Sequence, residues 1–364
     1  MSDAAAPDEA GAPRPGEEID AVAVADWLAG ELPGFGGPLE IAQFPGGASN
    51  LTYRVRCSGS DRVLRRPPPG TKARSAHDMG REYRILSAIH AAFPYAPRPL
   101  LFCADPAPLG TEFYLMERLE GVILRRDLPA GMKLPPEQAR ALCRNLVEVL
   151  AELHAIDPVA AGLGELGRPE GYVARQVEGW SARYRAARTD DVPDNEALMA
   201  WLATRQPPDA GRAALIHNDY KFDNVVLGER DGRWRITGVL DWEMATLGDP
   251  LMDLGASLAY WIEADDPAAL QGIRMLPTHL PGMMRRAELV DYYFERTGLA
   301  AERFDFYYAY GLFRLAVIVQ QIYYRFVLGQ TKNPRFAPFG RFCCVLSEAA
   351  AEVAGGRRPF KEPS

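Results

Sequence analysis

The stretch from His217 to Glu243 constrains this chain more than any other. It reads His217-Asn218-Asp219-Tyr220-Lys221-Phe222-Asp223-Asn224, then the apolar run Val225-Val226-Leu227. A turn signal, Asp231-Gly232, and a return strand from Arg235 to Leu240 follow, and the stretch ends on Asp241-Trp242-Glu243. Asp-Gly between two such runs marks a hairpin. In an antiparallel hairpin the start of the first strand lies beside the end of the second. Asn224 precedes the first strand and Asp241 ends the second, so the fold is expected to bring an amide carbonyl and a carboxylate together. These are hard oxygen donors suited to Mg²⁺, which typically takes one or two carboxylates plus substrate phosphates. Asp219, on the loop entering the same hairpin, is placed to accept a proton from a substrate hydroxyl. A loop aspartate as base, with an asparagine and a second aspartate on metal, is the division of labour in kinase-type phosphoryl transfer. Any one of these residues alone would read as an ordinary turn former; the complete spacing argues for chemistry. His217 reads as a brace of the loop rather than an acid or base.

The rest of the chain divides around this hairpin. Ile19 to Leu32 has helical spacing. Strand-like segments follow at Leu39–Phe44, Leu51–Cys57 and Arg62–Arg66, separated by Gly-rich or Ser/Gly/Asp turns. A helix is expected from Ala76 to Ala92, then strands near Arg98–Cys103 and Glu112–Leu119. Past Gly121 helices dominate: Pro136–Ile156, with Pro in its first turn, Gly171–Arg188, Asn195–Thr204, and most of the chain after Pro250. The expected fold is α+β and bilobal. A disordered tail (1–18) precedes a small antiparallel β-rich lobe (19–120), a larger helical lobe (121–355) and a short tail (356–364).

The small lobe offers an independent set of candidates. Gly46, Gly47, Ser49 and Asn50 lie between two expected strands, where glycines let a backbone approach phosphate and Ser and Asn add donors. Arg65 follows Val63-Leu64, where kinases carry an apolar-apolar-Lys pattern, and Glu82 on the next helix would aim that cation. Arg66 competes for the same role.

Composition narrows the class. The 364 residues are 48% hydrophobic, enough for a large core, and the formal net charge is -7. No basic stripe of the kind that binds nucleic acid is visible. The Arg pairs are broken by apolar residues and Pro, which argues against a membrane tether. The five cysteines form no CxxC pair and the five histidines no HExxH, so neither a disulfide framework nor a zinc site is expected. The first residues have neither a basic start nor an apolar run, and a cytoplasmic location is expected.

At this point the chain resembles a known family. Val63-Leu64-Arg65-Arg66-Pro67-Pro68, Gly110 to Glu117, the His217–Asn224 loop, Leu240-Asp241-Trp242-Glu243 and Gly248-Asp249-Pro250-Leu251-Met252-Asp253-Leu254 are similar to the aminoglycoside phosphotransferase / choline kinase-like superfamily. Gly171 to Val177 with Trp180 resembles the branch that includes kinase-like domains fused to acyl-CoA dehydrogenases. The resemblance implies a protein-kinase-like fold, ATP as phosphoryl donor between the lobes, and a small-molecule hydroxyl acceptor held by the C-terminal helices. It implies Asp219 as base, Asn224 and Asp241 as Mg²⁺ ligands, and Arg65 and Glu82 at the phosphates. It further implies Glu117, Arg118 and Leu119 as a hinge meeting adenine through backbone groups, with Asp249 and Asp253 bracing the catalytic loop. Two departures stand out: Asn218 where the family commonly has Gly, and Arg65 where most kinases have Lys.

The acceptor region is expected on the helix from about Phe304 to Leu328. Arg314, Gln321 and Arg325 fall at spacings that share one helix face. Arginines there suit a carboxylate or phosphate, which points to a hydroxylated acceptor with an anionic group; the branch resemblance implies the same direction, a hydroxy acid or hydroxyacyl-CoA. The alternatives are an aminoglycoside- or choline-type kinase and a non-catalytic pseudokinase. A metal-dependent hydrolase would need neither the Gly46-Gly47 turn nor the Arg65/Glu82 pair. The few residues between Asp241 and Asp249 leave no long activation segment, which disfavours a protein substrate.

Overall fold

The computed structural model of the chain describes residues 9–32, 35, 37–45, 50–57, 59–68, 78–208, 213–301, 303–358 and 360. One antiparallel sheet organises the first lobe. Strands β1 (Glu40–Gln43), β2 (Leu51–Cys57), β3 (Ser60–Arg66), β4 (Pro99–Cys103) and β5 (Phe113–Glu117) lie in the order β1-β2-β3-β5-β4. In the β2–β3 hairpin Tyr53 faces Leu64 and Thr52 faces Arg65. Side chains alternate across a strand, so Tyr53, Val55 and Leu64 share one face while Thr52, Val63 and Arg65 share the other. Helix α1 (Ala21–Glu31) covers the first face with Val24 and Leu28. Its first turn is capped by Asp20, whose carboxylate accepts from the N–H groups of Val22 and Ala23. Helix α2 (Met79–Ile89) sends Met79, Ile85 and Leu86 into the core that contains Val63, Tyr114 and Met116.

The second lobe is helical: α3 (Pro136–Ala155), α4 (Tyr172–Ala187), α5 (Glu196–Thr204), α6 (Pro250–Leu258), α7 (Ala268–Gly272), α8 (Arg286–Thr297), α9 (Asp305–Val327) and α10 (Phe339–Ala354). Set among them are two antiparallel pairs, β6 (Ala214–Ile216) with β9 (Thr246–Gly248), and the hairpin β7 (Val225–Arg230) with β8 (Arg233–Val239). The α+β, two-lobed reading holds. Among the described residues no helix is long and apolar enough to cross a membrane.

Two parts assigned to tails are packed instead. Gly11 and Gln43 exchange both backbone hydrogen bonds, at 2.9 and 2.7 Å, which adds Gly11 to the sheet edge, and Tyr53 and Arg66 donate to the carbonyls of Glu17 and Glu18. Near the other terminus Arg358 pairs with buried Asp266, and Phe360 packs on Phe304 and Tyr308. Composition hid both, because these segments dock mainly through backbone groups, charges and one aromatic ring.

Close backbone approaches join the parts around the site. Where the chain leaves the first lobe, Val122 and Leu227 exchange backbone bonds of 2.8 Å in both directions. Gly121 has φ +153°, and a Cβ there would lie 2.3 Å from the Leu227 carbonyl oxygen. Helices α6 and α9 also cross with almost no gap: a Cβ on Gly311 would meet the Gly255 carbonyl oxygen at 2.1 Å. Gly311→Ala should therefore destabilise the protein by about 1–3 kcal/mol, the usual cost of overpacking, read as a lower urea midpoint. An unchanged midpoint would mean that the crossing has slack.

Candidate active site

Asp219 is held by its own loop. Asp219 Oδ2 accepts from Lys221 Nζ at 2.6 Å and from Asn224 Nδ2 at 2.7 Å. Asn224 Nδ2 also donates to the Asp219 carbonyl at 2.8 Å. With its nitrogen so engaged, Asn224 has Oδ1 as the side-chain atom left to meet a cation. Lys221 is 8% exposed, lies 3.2 Å from Asp223 and sits over the Tyr260 ring. Burial works against its charge, but Asp219, Tyr260 and Asp223 outweigh it and keep the ammonium protonated well beyond the usual lysine range. Sequence reading passed over Lys221. Its one signal was a cation two residues from the candidate base.

Beneath the loop lies a buried brace. His217 Nε2 donates to the Leu240 carbonyl at 3.0 Å, while Nδ1 accepts from the Asp219 N–H at 3.2 Å. That pairing requires the neutral ring, and burial holds its pKa below the ordinary histidine value. The bond to Leu240 ties the loop to the strand end that presents Asp241. Asp253, on α6, accepts from the backbone N–H groups of His217 and Asn218, both at 2.7 Å, and from His154 Nε2 at 3.1 Å. Burial would raise its pKa, but these donors hold it below the usual carboxylate value.

Asn218 has φ +64°. Glycine favours that region, and Asn tolerates it better than most residues. The substitution keeps the backbone shape that glycine would allow and adds contacts. Its amide nitrogen donates to the Met244 carbonyl at 3.1 Å, and its oxygen accepts from Tyr172 at 3.2 Å.

The other half of the site spans the two lobes. Arg65 lies 2.9 Å from Glu82, 3.0 Å from Asp241 and 3.8 Å from Glu243. Its own burial opposes the charge, yet Glu82, Tyr114 and the two further acids keep it protonated far beyond reach of titration. Arg66, the competing cation, points to the opposite face of the sheet and bonds to the Glu17 carbonyl and Tyr53. Asp241, at φ +67°, has its carboxyl held below the usual range; burial would raise it, and Arg65 overcomes that. Leu240 N donates to the Asn224 carbonyl at 2.8 Å, which closes the hairpin base and sets Asp241 beside Asn224.

One amide oxygen and one partly exposed carboxylate fit a divalent cation that keeps several waters. Among the described residues no group of three His, Cys, Asp or Glu could cage a metal, and a partly hydrated Mg²⁺ does not require one.

A cavity of about 160 Å³ lies between these groups, walled by Phe44, Thr52, Val63 and Arg65 above and by Asn224 and Asp241 below. Glu117, Arg118 and Leu119 line its back. The side chains of the first two point elsewhere: Glu117 accepts from Arg98 N at 2.7 Å, and Arg118 pairs with Glu120 at 2.9 Å. Gly46, Gly47 and Ser49 lie outside the described residues. Asn50 is 1% exposed and its amide donates to Glu243 at 2.7 Å, so it joins the lobes.

Two expectations are corrected. The first concerns Asp249, expected as a loop brace: its Oδ1 caps α6, accepting from Leu251 N at 2.8 Å. Arg314, Gln321 and Arg325 do not form one cluster. Arg314 is 2% exposed and donates to the Asn218 carbonyl at 2.7 Å. Arg325 is exposed in the last turn of α9, about 16 Å further along the axis at 1.5 Å per residue. Shared helical phase aligned them, but axial distance separates them.

A family model described as "Phosphotransferase enzyme family" matches residues 40–289, more than half of the chain. Mouse acyl-CoA dehydrogenase family member 10 is 35% identical over 330 residues, which is 90% of this chain and 30% of that protein. This chain thus spans less than a third of that relative's length. Among solved structures, a candidate aminoglycoside phosphotransferase from Ralstonia eutropha is 31% identical, with TM-score 0.78 over 93% of this chain and 99% of that one. A spectinomycin phosphotransferase solved with ADP and spectinomycin has TM-score 0.58 at 16% identity, covering 92% of this chain and 98% of its own, and shares the fold. The chain belongs to the phosphotransferase enzyme family, with the kinase-like architecture of its structural neighbours.

Proposed function

We propose that this chain moves the γ-phosphoryl group of ATP to a hydroxyl of a small molecule, in the presence of Mg²⁺. The observation that carries this reading is a convergence. Asp219, Asn224 and Asp241 meet at one hairpin base, and Arg65 joins that base to Glu82 across the cleft. The acceptor oxygen attacks the γ-phosphorus, the bond to the β–γ bridging oxygen breaks, and ADP leaves. The acceptor proton passes to Asp219. Asn224 and Asp241 would hold the Mg²⁺, which would neutralise phosphate charge. Arg65 serves the phosphates, and the hinge backbone meets the base. That a protein of the same fold was solved with ADP supports a nucleotide donor.

For the acceptor we favour an alcohol that also carries an anionic group, such as a hydroxy acid or hydroxyacyl-CoA. Arg314 and Arg183 flank the Trp180 ring, at 5.2 and 4.8 Å from its centroid. Among the described residues neither forms a close ion pair with a carboxylate, and Asp219 acts on Arg314 only at longer range. A polycationic acceptor would meet like charge there. An ATP-consumption screen over hydroxy acids, hydroxyacyl-CoAs, choline-type alcohols and aminoglycosides tests this preference. Turnover of the amines alone would end it.

The metal assignment has its own test. Mg-ATP at 100 times its Kd should add about 2.7 kcal/mol of stability, visible as a thermal shift larger than with ATP alone. Asp241→Ala should lose the Mg²⁺-dependent part. If that variant binds Mg-ATP as tightly as the parent protein, Asp241 is not a metal ligand.

A further inference from the structure

Residues 11–18 do more than tidy a sheet edge. Gln43 is the last residue of β1 and is 3% exposed. Its backbone pairs with Gly11, and its side chain is gripped at both ends: Oε1 accepts from Arg14 N at 2.8 Å, and Nε2 donates to Glu17 at 2.6 Å. Arg14 closes the arrangement by pairing with the same Glu17 oxygen at 2.6 Å. The next residue is Phe44, which walls the cavity between the lobes and donates its N–H to the Thr52 carbonyl at 2.9 Å.

A second tether runs through β3. Arg66 donates to the Glu17 and Glu18 carbonyls at 3.0 and 3.3 Å, and Tyr53 donates to the Glu17 carbonyl at 2.5 Å. Arg65 is the neighbouring residue on the opposite face, in contact with Glu82 and Asp241. Alternation along a strand puts these two arginines back to back. The terminal segment thus holds the three strands that present Phe44, Thr52 and Arg65 to the cavity, through side chains on the face that the cavity does not touch.

We propose that residues 11–18 are a positioning element of the nucleotide site, acting through Gln43 on Phe44 and through Arg66 on Arg65. The inference rests on the reading that the interlobe cavity takes ATP. An edge strand held by a single neighbour can shift along its free side; pairing it with Gly11 removes that freedom. Without the segment, the upper wall of the cavity loses its register with the hairpin that carries Asn224 and Asp241.

The test is calorimetric binding of Mg-ATP, which needs no knowledge of the acceptor. Three proteins are compared: the full chain, a chain lacking residues 1–18, and full-length Gln43→Leu, which cuts the side-chain grip but keeps the strand. Both altered proteins should bind Mg-ATP at least fivefold more weakly. A synthetic peptide of residues 9–18 should restore most of the affinity to the shortened chain. A shortened chain or Gln43→Leu protein that is folded by circular dichroism and binds with parental affinity would overturn the inference. If the full chain itself binds no Mg-ATP, the nucleotide reading beneath it fails instead.

Discussion

Asp219→Asn should lower kcat by roughly 10²–10⁴-fold, the range for loss of a general base, while leaving the fold and Mg-ATP affinity intact. The substitution preserves size and leaves Lys221 a second acid, Asp223, at 3.2 Å. It also leaves an oxygen that can face Asn224 Nδ2 once the amide is turned. What disappears is the atom that can take a proton. Turnover should therefore fall at saturating ATP and acceptor alike, with both KM values within a few-fold of the parent. A variant that keeps near-full turnover would remove Asp219 from the chemistry. One that unfolds would show that the carboxylate is needed to hold Lys221 and Asn224 rather than to react. The comparison is informative because, among the described residues, Asp219 hydrogen-bonds only within its own loop segment, so a loss of turnover in a folded variant has few structural routes.

The site was legible where local rules decide geometry. Hairpin register alone brings Asn224 next to Asp241, and strand alternation alone separates Arg65 from Arg66, which spacing had left in competition. His217 was read as a brace of the loop, and its bonds to the Asp219 N–H and the Leu240 carbonyl fit that. Contacts set by helix packing were not legible. Periodicity places Arg314 on a face of α9 but not against the Asn218 carbonyl; that contact depends on the α6–α9 crossing, where Gly255 and Gly311 let two backbones nearly touch. Asp249 and Asp253 sit in one short motif, yet one caps a helix and the other holds a loop, a difference of side-chain direction that spacing does not encode. Residues 11–18 were misread for another reason. Disorder is inferred from a lack of apolar residues, and this segment docks by backbone hydrogen bonds and the Arg14–Glu17 pair.

Asp253 is where stability and catalysis meet, and its removal should have the largest structural effect. The side chain is fully buried and accepts from three donors: two successive backbone N–H groups of the catalytic loop and the His154 ring. Asp253→Ala strands all three in the core. Removing one partner from a buried charged arrangement costs about 3–5 kcal/mol, and each orphaned donor adds to the penalty. Asp253→Asn should be milder, because its carbonyl can still serve one backbone donor while its amide turns away from the others. The folded-state pKa of Asp253 lies below its unfolded value. Its contribution is thus complete above the ordinary carboxylate range, about pH 4, and fades as pH falls through the lower folded value. The parent protein should lose stability over that acid window more steeply than Asp253→Asn, whose amide does not titrate. Urea unfolding at pH 7 and at stepped acid pH measures both effects. The Asn variant should also lose kcat while keeping Mg-ATP affinity, since the Asn218–Asp219 backbone loosens but Asn224 and Asp241 stay on their hairpin. If Asp253→Ala unfolds at the parental urea midpoint, the catalytic loop is held by something other than this carboxylate, and His217 with its bond to Leu240 becomes the brace to test.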